Sequence, residues 1–131
     1  MNKLSPTDAI YVAKSRIVPK ERGVFAKAYI KKGTVIEMCP ILTISPYDTV
    51  EITEESLISY MFYFGKKKEH ALIALGFGSL YNHSEQNNAV YKIKPTEKII
   101  TFIAIKDIAK DEEIAINYSQ GNRENIPLWF N

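Results

Sequence analysis

The sequence predicts a mainly β single domain, and three observations carry that prediction. Short runs rich in Val, Ile, Tyr, Phe and Thr recur between turn residues along the chain, the pattern of strands rather than helices. Helical periodicity is sparse, and 131 residues with 46% hydrophobic content suffice for one core that buries about two-thirds of the unfolded surface. The third observation is an internal echo. "FAKAYIKKGTVI" (Phe25–Ile36) and "IAIKDIAKDEEI" (Ile103–Ile114) share Ala26/Ala104, Ile30/Ile108, Lys32/Lys110 and Ile36/Ile114 at a constant offset of 78. Each reads as strand, tight turn at Lys-Gly or Lys-Asp, then strand, so two related small sheets are expected.

In chain order, the first strand falls at Ile10–Lys14, an apolar and aromatic run closed by Ser15. Gly23–Ala28 and Thr34–Glu37 flank the first Lys-Gly turn, and Ile41–Ile44 resumes after Pro40, a residue that cannot donate to a sheet ladder. Thr53–Phe64 opens with Thr-Glu-Glu-Ser and reads as one or two helical turns before a Tyr/Phe-rich strand. Ala71–Leu75 is a short apolar run stopped by Gly76. Ala89–Lys94 and Ile99–Ile105 surround a turn beginning at Pro95, and Ile114–Asn117 follows the second repeat turn.

The bulk numbers exclude several classes. A net charge of +2 is too small to announce nucleic acid, and Lys66-Lys67-Lys68 reads as a solvated loop. Cys39 is the one cysteine, which rules out an internal disulfide and a Cys-rich zinc site and suggests a reducing compartment. The two histidines, His70 and His83, have no adjoining carboxylate cluster, so no metal is expected. No apolar stretch approaches the length of a membrane span, and "MNKLSPTDAI" lacks the hydrophobic region of a signal peptide. A soluble intracellular protein is the expectation. The eight tyrosines combine an apolar ring with a polar tip and suit the wall of a narrow pocket.

The chemistry concentrates in "GFGSLYNHSEQNN" (Gly76–Asn88), where an apolar strand gives way to amides, hydroxyls and a histidine. Alone, Asn82-His83-Ser84 reads as a turn, and Ser84 lacks the G-x-S-x-G elbow of a hydrolase. Its companions add the specificity: "RGVFA" (Arg22–Ala26) upstream, "NNAVY" (Asn87–Tyr91) just after, and "DEEIAINYS" (Asp111–Ser119) near the C-terminus. In this order and spacing, from about Arg16 to Tyr118, the chain resembles the SET-domain protein lysine methyltransferases, and most closely their minimal viral and bacterial members. Asn82-His83-Ser84, Asn88, Glu113-Ile114 and Tyr118 match the family's motifs. The chain departs from them at Glu21, where many members carry Gly, at Glu85 in place of a frequent Cys, and at Asn87 in place of Pro.

The resemblance implies a β-clip fold of several small curved sheets, in which the C-terminal segment threads beneath an earlier loop as a pseudoknot and brings Asn82-His83 beside Tyr118. It implies one SET domain over residues 1–131, with a core of about 10–119 and a tail, 120–131, that closes the active site. The implied reaction is methyl transfer from S-adenosylmethionine to a lysine ε-amine of a protein. Arg22, Gly23, Asn82, His83 and Tyr118 would contact the cofactor, and Trp129 or Phe130 would cover the adenine. Tyr118 and Tyr91 are the expected catalytic residues, and Tyr60, Tyr91 and Tyr118 the lysine channel. Two channel hydroxyls would bias the product to monomethylation. The partner would be a protein with an accessible lysine, a histone tail or another basic segment. No nucleic acid or membrane contact is expected, and a homodimer would complete the substrate groove. The location would be the bacterial cytoplasm, or the host nucleus for a viral or exported protein. The competing reading is a non-catalytic module of the same fold that binds a basic tail.

Overall fold

The computed structural model describes residues 3–45, 57, 60–65 and 70–119. Within them run nine strands: β1 (Ile10–Lys14), β2 (Arg22–Ala26), β3 (Val35–Ile44), β4 (Met61–Phe64), β5 (His70–Ala74), β6 (Asn82–His83), β7 (Ala89–Lys94), β8 (Ile99–Ala104) and β9 (Glu113–Ile116). A 3-10 turn, Gly78–Leu80, precedes β6. The strands form a four-stranded sheet in the order β1-β2-β9-β6 and a five-stranded sheet in the order β4-β5-β3-β8-β7. The mainly β, curled-sheet fold read from the sequence is the fold observed.

All pairings are antiparallel except β6 with β9, which run parallel with Asn82 opposite Ala115 and His83 opposite Ile116. That one parallel contact brings two motifs more than thirty residues apart in sequence into register. β9 therefore lies between β2 and β6. The threading of the tail beyond Ser119 falls outside the described residues.

Most strands lie within a residue or two of their expected positions. The main difference is β3, which joins the two strands expected at Thr34–Glu37 and Ile41–Ile44. Val35–Pro40 pairs with β8 and Ile41–Ile44 with β5. Pro40 sits where the strand changes neighbour: its carbonyl accepts the Leu75 N–H at 2.9 Å, and Ile41 N–H still reaches the Lys98 carbonyl at 3.1 Å, so the missing N–H falls at the start of the β5 pairing and does not end the strand. Met61–Phe64 forms the anticipated Tyr/Phe-rich strand, with Tyr60 in a turn closed by its N–H on the Leu57 carbonyl at 3.0 Å. The rest of the expected helical segment is outside the described residues, as is Lys66–Lys68. The two-residue strand β6 is too short for any periodicity to reveal.

The two repeats do not each seed a sheet. Each unit bridges both sheets, and the two clasp one another. Ile30 and Ile108 exchange both backbone hydrogen bonds at 2.8 Å. Around them, Gly33 N–H to Ala104 O (2.8 Å) is mirrored by Asp111 N–H to Ala26 O (2.7 Å), and Ala104 N–H to Thr34 O by Ala26 N–H to Glu112 O, both 3.0 Å. Gly33 and Asp111 hold the equivalent left-handed position, with φ of 93° and 67°. The offset of 78 is thus a local twofold relation. Its apolar centre joins Ile36, Leu72, Tyr81, Ile100, Phe102, Ile114 and Ile116 in the core shared by the two sheets.

Candidate active site

The parallel β6–β9 contact is secured by a polar latch. Asn82 is buried, and its Nδ2 donates to the Arg22 carbonyl at 2.8 Å, to Glu113 Oε2 at 3.0 Å and to Ser15 Oγ at 3.1 Å. Glu113 also accepts from the Ser15 hydroxyl at 2.8 Å and from the Arg16 N–H at 2.8 Å. Gly23 is what lets these groups meet. A Cβ there would collide with the Glu113 carboxylate and lie 2.9 Å from Asn82 Nδ2. On the far side, Asn88 Oδ1 accepts the Ala115 N–H at 2.9 Å, and its Nδ2 donates to the Glu113 carbonyl at 3.0 Å. Two side-chain amides thereby satisfy main-chain groups of β2 and β9, as buried polar groups require.

The ladder also decides what His83 presents. Ser84 N–H donates to the Ile116 carbonyl at 2.9 Å. Alternate residues of a parallel strand bond to the same neighbour. Asn82 and Ser84 therefore face β9, and the main-chain N–H and C=O of His83 turn to the open edge. The His83 ring accepts the Tyr118 N–H at Nδ1, 3.0 Å away, which places the proton of the neutral imidazole on Nε2. Its ring lies 5.2 Å from that of Tyr118.

Tyr118 then turns its side chain back across β6, and its hydroxyl donates to the Tyr81 carbonyl at 2.7 Å. The proton is committed to that bond, so the phenolic oxygen keeps lone pairs free to accept from an incoming N–H. Tyr91 donates its hydroxyl to the Tyr118 carbonyl at 3.3 Å. Its ring stands edge-on to Phe62 at 5.0 Å, and Phe62 and Tyr81 both pack on Phe102. Burial raises the pKa of Tyr91 and Tyr118 above the ordinary tyrosine value, and Tyr60 adds to the effect on Tyr118. Both phenols therefore stay neutral across the physiological range.

Of the site residues anticipated from sequence, Asn82, His83, Tyr118 and Tyr91 converge on one locus, with Tyr60 close enough to act electrostatically on Tyr118. Gly23 and the Arg22 carbonyl belong to the latch behind it. Trp129 and Phe130 lie outside the described residues. Sequence reasoning passed over Ser15, Glu37 and Tyr81. Glu37 carries a visible signal, a lone carboxylate in the apolar run "VIEMCPI", and Tyr81 adjoins the triplet directly. Ser15 carries none, because only the fold brings it 67 residues back to Asn82. Among the described residues no group of His, Cys, Asp and Glu is placed to hold a metal, and no helix is long and apolar enough to cross a membrane.

Comparison with known proteins bears on this arrangement. The sequence profile of the SET domain matches residues 21–119. Over 111 residues, which are 85% of this chain and 71% of the relative, the sequence is 30% identical to the histone-lysine N-methyltransferase of Schizosaccharomyces pombe specific for H3 lysine-37. Among solved structures, a candidate histone methyltransferase of Plasmodium falciparum superposes with a TM-score of 0.67 at 34% identity, covering 88% of this chain and 95% of that one. The Chaetomium thermophilum Polycomb Repressive Complex 2, bound to S-adenosylmethionine in an autoinhibited conformation, gives a TM-score of 0.71 at 25% identity. It covers 92% of this chain, which spans only 16% of the Polycomb chain. The profile match takes in both repeats, the Asn82-His83 strand and the tyrosine that docks on it, and on that ground this chain belongs to the SET-domain family, with homology to its histone-lysine methyltransferases.

Proposed function

We propose that this enzyme transfers a methyl group from S-adenosylmethionine to a lysine ε-amine of a protein. The observation that carries the reading is that Tyr118 ties the His83 ring, through its N–H, to the Tyr81 carbonyl, through its hydroxyl, within one hydrogen-bonded unit. The donor set fits the cofactor. The outward N–H and C=O of His83 match the acceptor and amine edge of an adenine, and the carbonyls of Tyr81 and Tyr118 suit a nearby positive charge. When bound, the cofactor supplies an electrophilic methyl group on a sulfonium.

The chain's own residues have two tasks. A lysine amine titrates near 10.4, so roughly 4–5 kcal/mol separates its charged form from the nucleophile at neutral pH. A channel walled by Tyr91, Phe62 and Tyr118 disfavours the ammonium by desolvation. Tyr118 is not available as a base, because burial raises its pKa and keeps the phenol protonated. Its oxygen instead accepts an N–H of the neutral amine and holds the lone pair in line, the positioning that carries much of such a rate. Tyr91 narrows the same space and favours monomethylation.

The domain is read with a core of about residues 10–119. The substrate is a flexible basic protein segment, and a second copy completes its groove; a fully active monomer in sedimentation would remove that last element. The decisive test incubates the protein with labelled cofactor and histones or a proteome extract beside a Tyr118→Phe control. Lysine-linked label in the first and its loss in the second are expected. Cofactor binding without transfer to any substrate would favour the binding-module reading.

A further inference from the structure

Glu37 lies in β3 with 7% of its surface exposed, and the reaction as described makes no use of it. Its two carboxylate oxygens hold opposite ends of the segment before β6. Oε1 accepts the Tyr81 hydroxyl at 2.8 Å and Oε2 the Phe77 N–H at 3.0 Å. Between these two points runs the 3-10 turn Gly78–Leu80. Gly76 makes the arrangement possible: it has φ of +62°, and a Cβ there would lie 2.7 Å from Glu37 Oε2. The carboxylate thus occupies space that any other residue would fill.

Tyr81 is held at both ends of its side chain, by Glu37 at the hydroxyl and by Phe102 stacked on the ring at 4.3 Å. The next residue, Asn82, is fixed by its three side-chain hydrogen bonds. The peptide between them is therefore pinned from both sides, and its carbonyl is the one that receives the Tyr118 hydroxyl at 2.7 Å. Hydrogen bonds buried in a low dielectric are strengthened, and with its side chain held at both ends Tyr81 leaves that carbonyl little freedom.

We propose that Glu37 is a positioning residue, which fixes the Tyr81 carbonyl and through it the direction of the Tyr118 hydroxyl at the amine. The inference rests on the reading that Tyr118 meets the lysine. Glu37 itself touches neither reactant; it acts two hydrogen bonds away.

The test is a double-mutant cycle. Tyr81→Phe keeps the ring on Phe102 and removes only the hydroxyl, and Glu37→Gln keeps the shape and removes one acceptor. Each is expected to lower kcat about tenfold, the scale of one lost buried hydrogen bond, with KM for S-adenosylmethionine changed less than about twofold. In a Tyr118→Phe background the same changes should cost less than about twofold more, because coupled residues are not additive. In the ligand-free protein labelled with carbon-13 at tyrosine Cζ, the Tyr118 resonance, assigned by its loss in Tyr118→Phe, should shift in both variants. Equal losses in both backgrounds with an unmoved resonance would overturn the proposal and leave Glu37 a stabiliser of the core. Should Tyr118→Phe itself leave kcat intact, the role of Tyr118 falls, and the resonance alone decides whether Glu37 sets its hydroxyl. If Glu37→Gln does not fold, Tyr81→Phe gives the same readouts.

Discussion

The two sides of the Asn82–Tyr118 locus are built from different materials. Behind β6, Asn82, Asn88, Ser15 and Glu113 join main-chain groups of Arg16, β2 and β9 through amides, a hydroxyl and a carboxylate. In front of it, Tyr91, Tyr118 and Tyr81 stand among Phe62 and Phe102, and each donates its hydroxyl to a hydrogen bond. The latch is shared between fold and site, since its loss would release β9 from β2 and β6 together. The aromatic side adds packing, yet each hydroxyl can be deleted without moving a ring. Changes behind β6 should therefore damage stability and cofactor binding together, and changes in front should damage turnover with the fold intact.

The strongest test of that division is Asn82→Ala. It removes one donor group from three acceptors, two of them on Glu113 and the Arg22 carbonyl, and should cost about 2–4 kcal/mol in chemical denaturation. S-adenosylmethionine should then protect the variant from heat far less than it protects the parent. An Asn82→Ala protein of parental stability would erase the comparison.

Next in size is Tyr118→Phe. The His83–Tyr118 main-chain bond survives it, so stability should fall by only about 1 kcal/mol, while kcat drops about a hundredfold, as for other oriented polar contacts at a reacting centre. A smaller change is expected of Tyr91→Phe. With more room beside the amine, the share of di- and trimethylated product in mass spectra should rise above the parent's. An unaltered distribution would take Tyr91 out of the channel.

The mildest prediction concerns pH. Burial, reinforced by Glu37, raises the Tyr81 pKa well above the ordinary value, and burial raises those of Tyr91 and Tyr118. In the unfolded chain these phenols ionise near 10, whereas the folded protein keeps its protons. Stability should begin to fall near pH 9, where burial keeps the Cys39 thiol protonated in the folded chain alone, and fall more steeply beyond about pH 10 as the phenols join it. Tyr81→Phe should flatten that fall in denaturation midpoints taken between pH 8 and 11, and Asn82→Gln should not.

Legibility differed between the two sides as well. His83 and Tyr118 were readable because a motif keeps their order and spacing. The partners of Asn82 were not, since Ser15 and Glu113 lie 67 and 31 residues away and nothing local marks them as its acceptors. The strand β6 escaped notice for a related reason: two residues have no period. Two strands were expected where β3 runs, because the change of neighbour at Pro40 that keeps it one strand exists only in the fold.

What the chain determined by itself was the menu. Alternating apolar runs, turn residues and a repeat of 78 residues specify β-strands, their faces and a pair of matched turns, because these follow from side-chain period and backbone preference within a few residues. Tertiary structure alone decided how the repeats clasp at Ile30 and Ile108, that β6 runs parallel to β9, and that a buried carboxylate at Glu37 governs a tyrosine 44 residues later. Such pairings are settled by burial and hydrogen-bond satisfaction across the whole core, and neither can be assessed before distant segments meet.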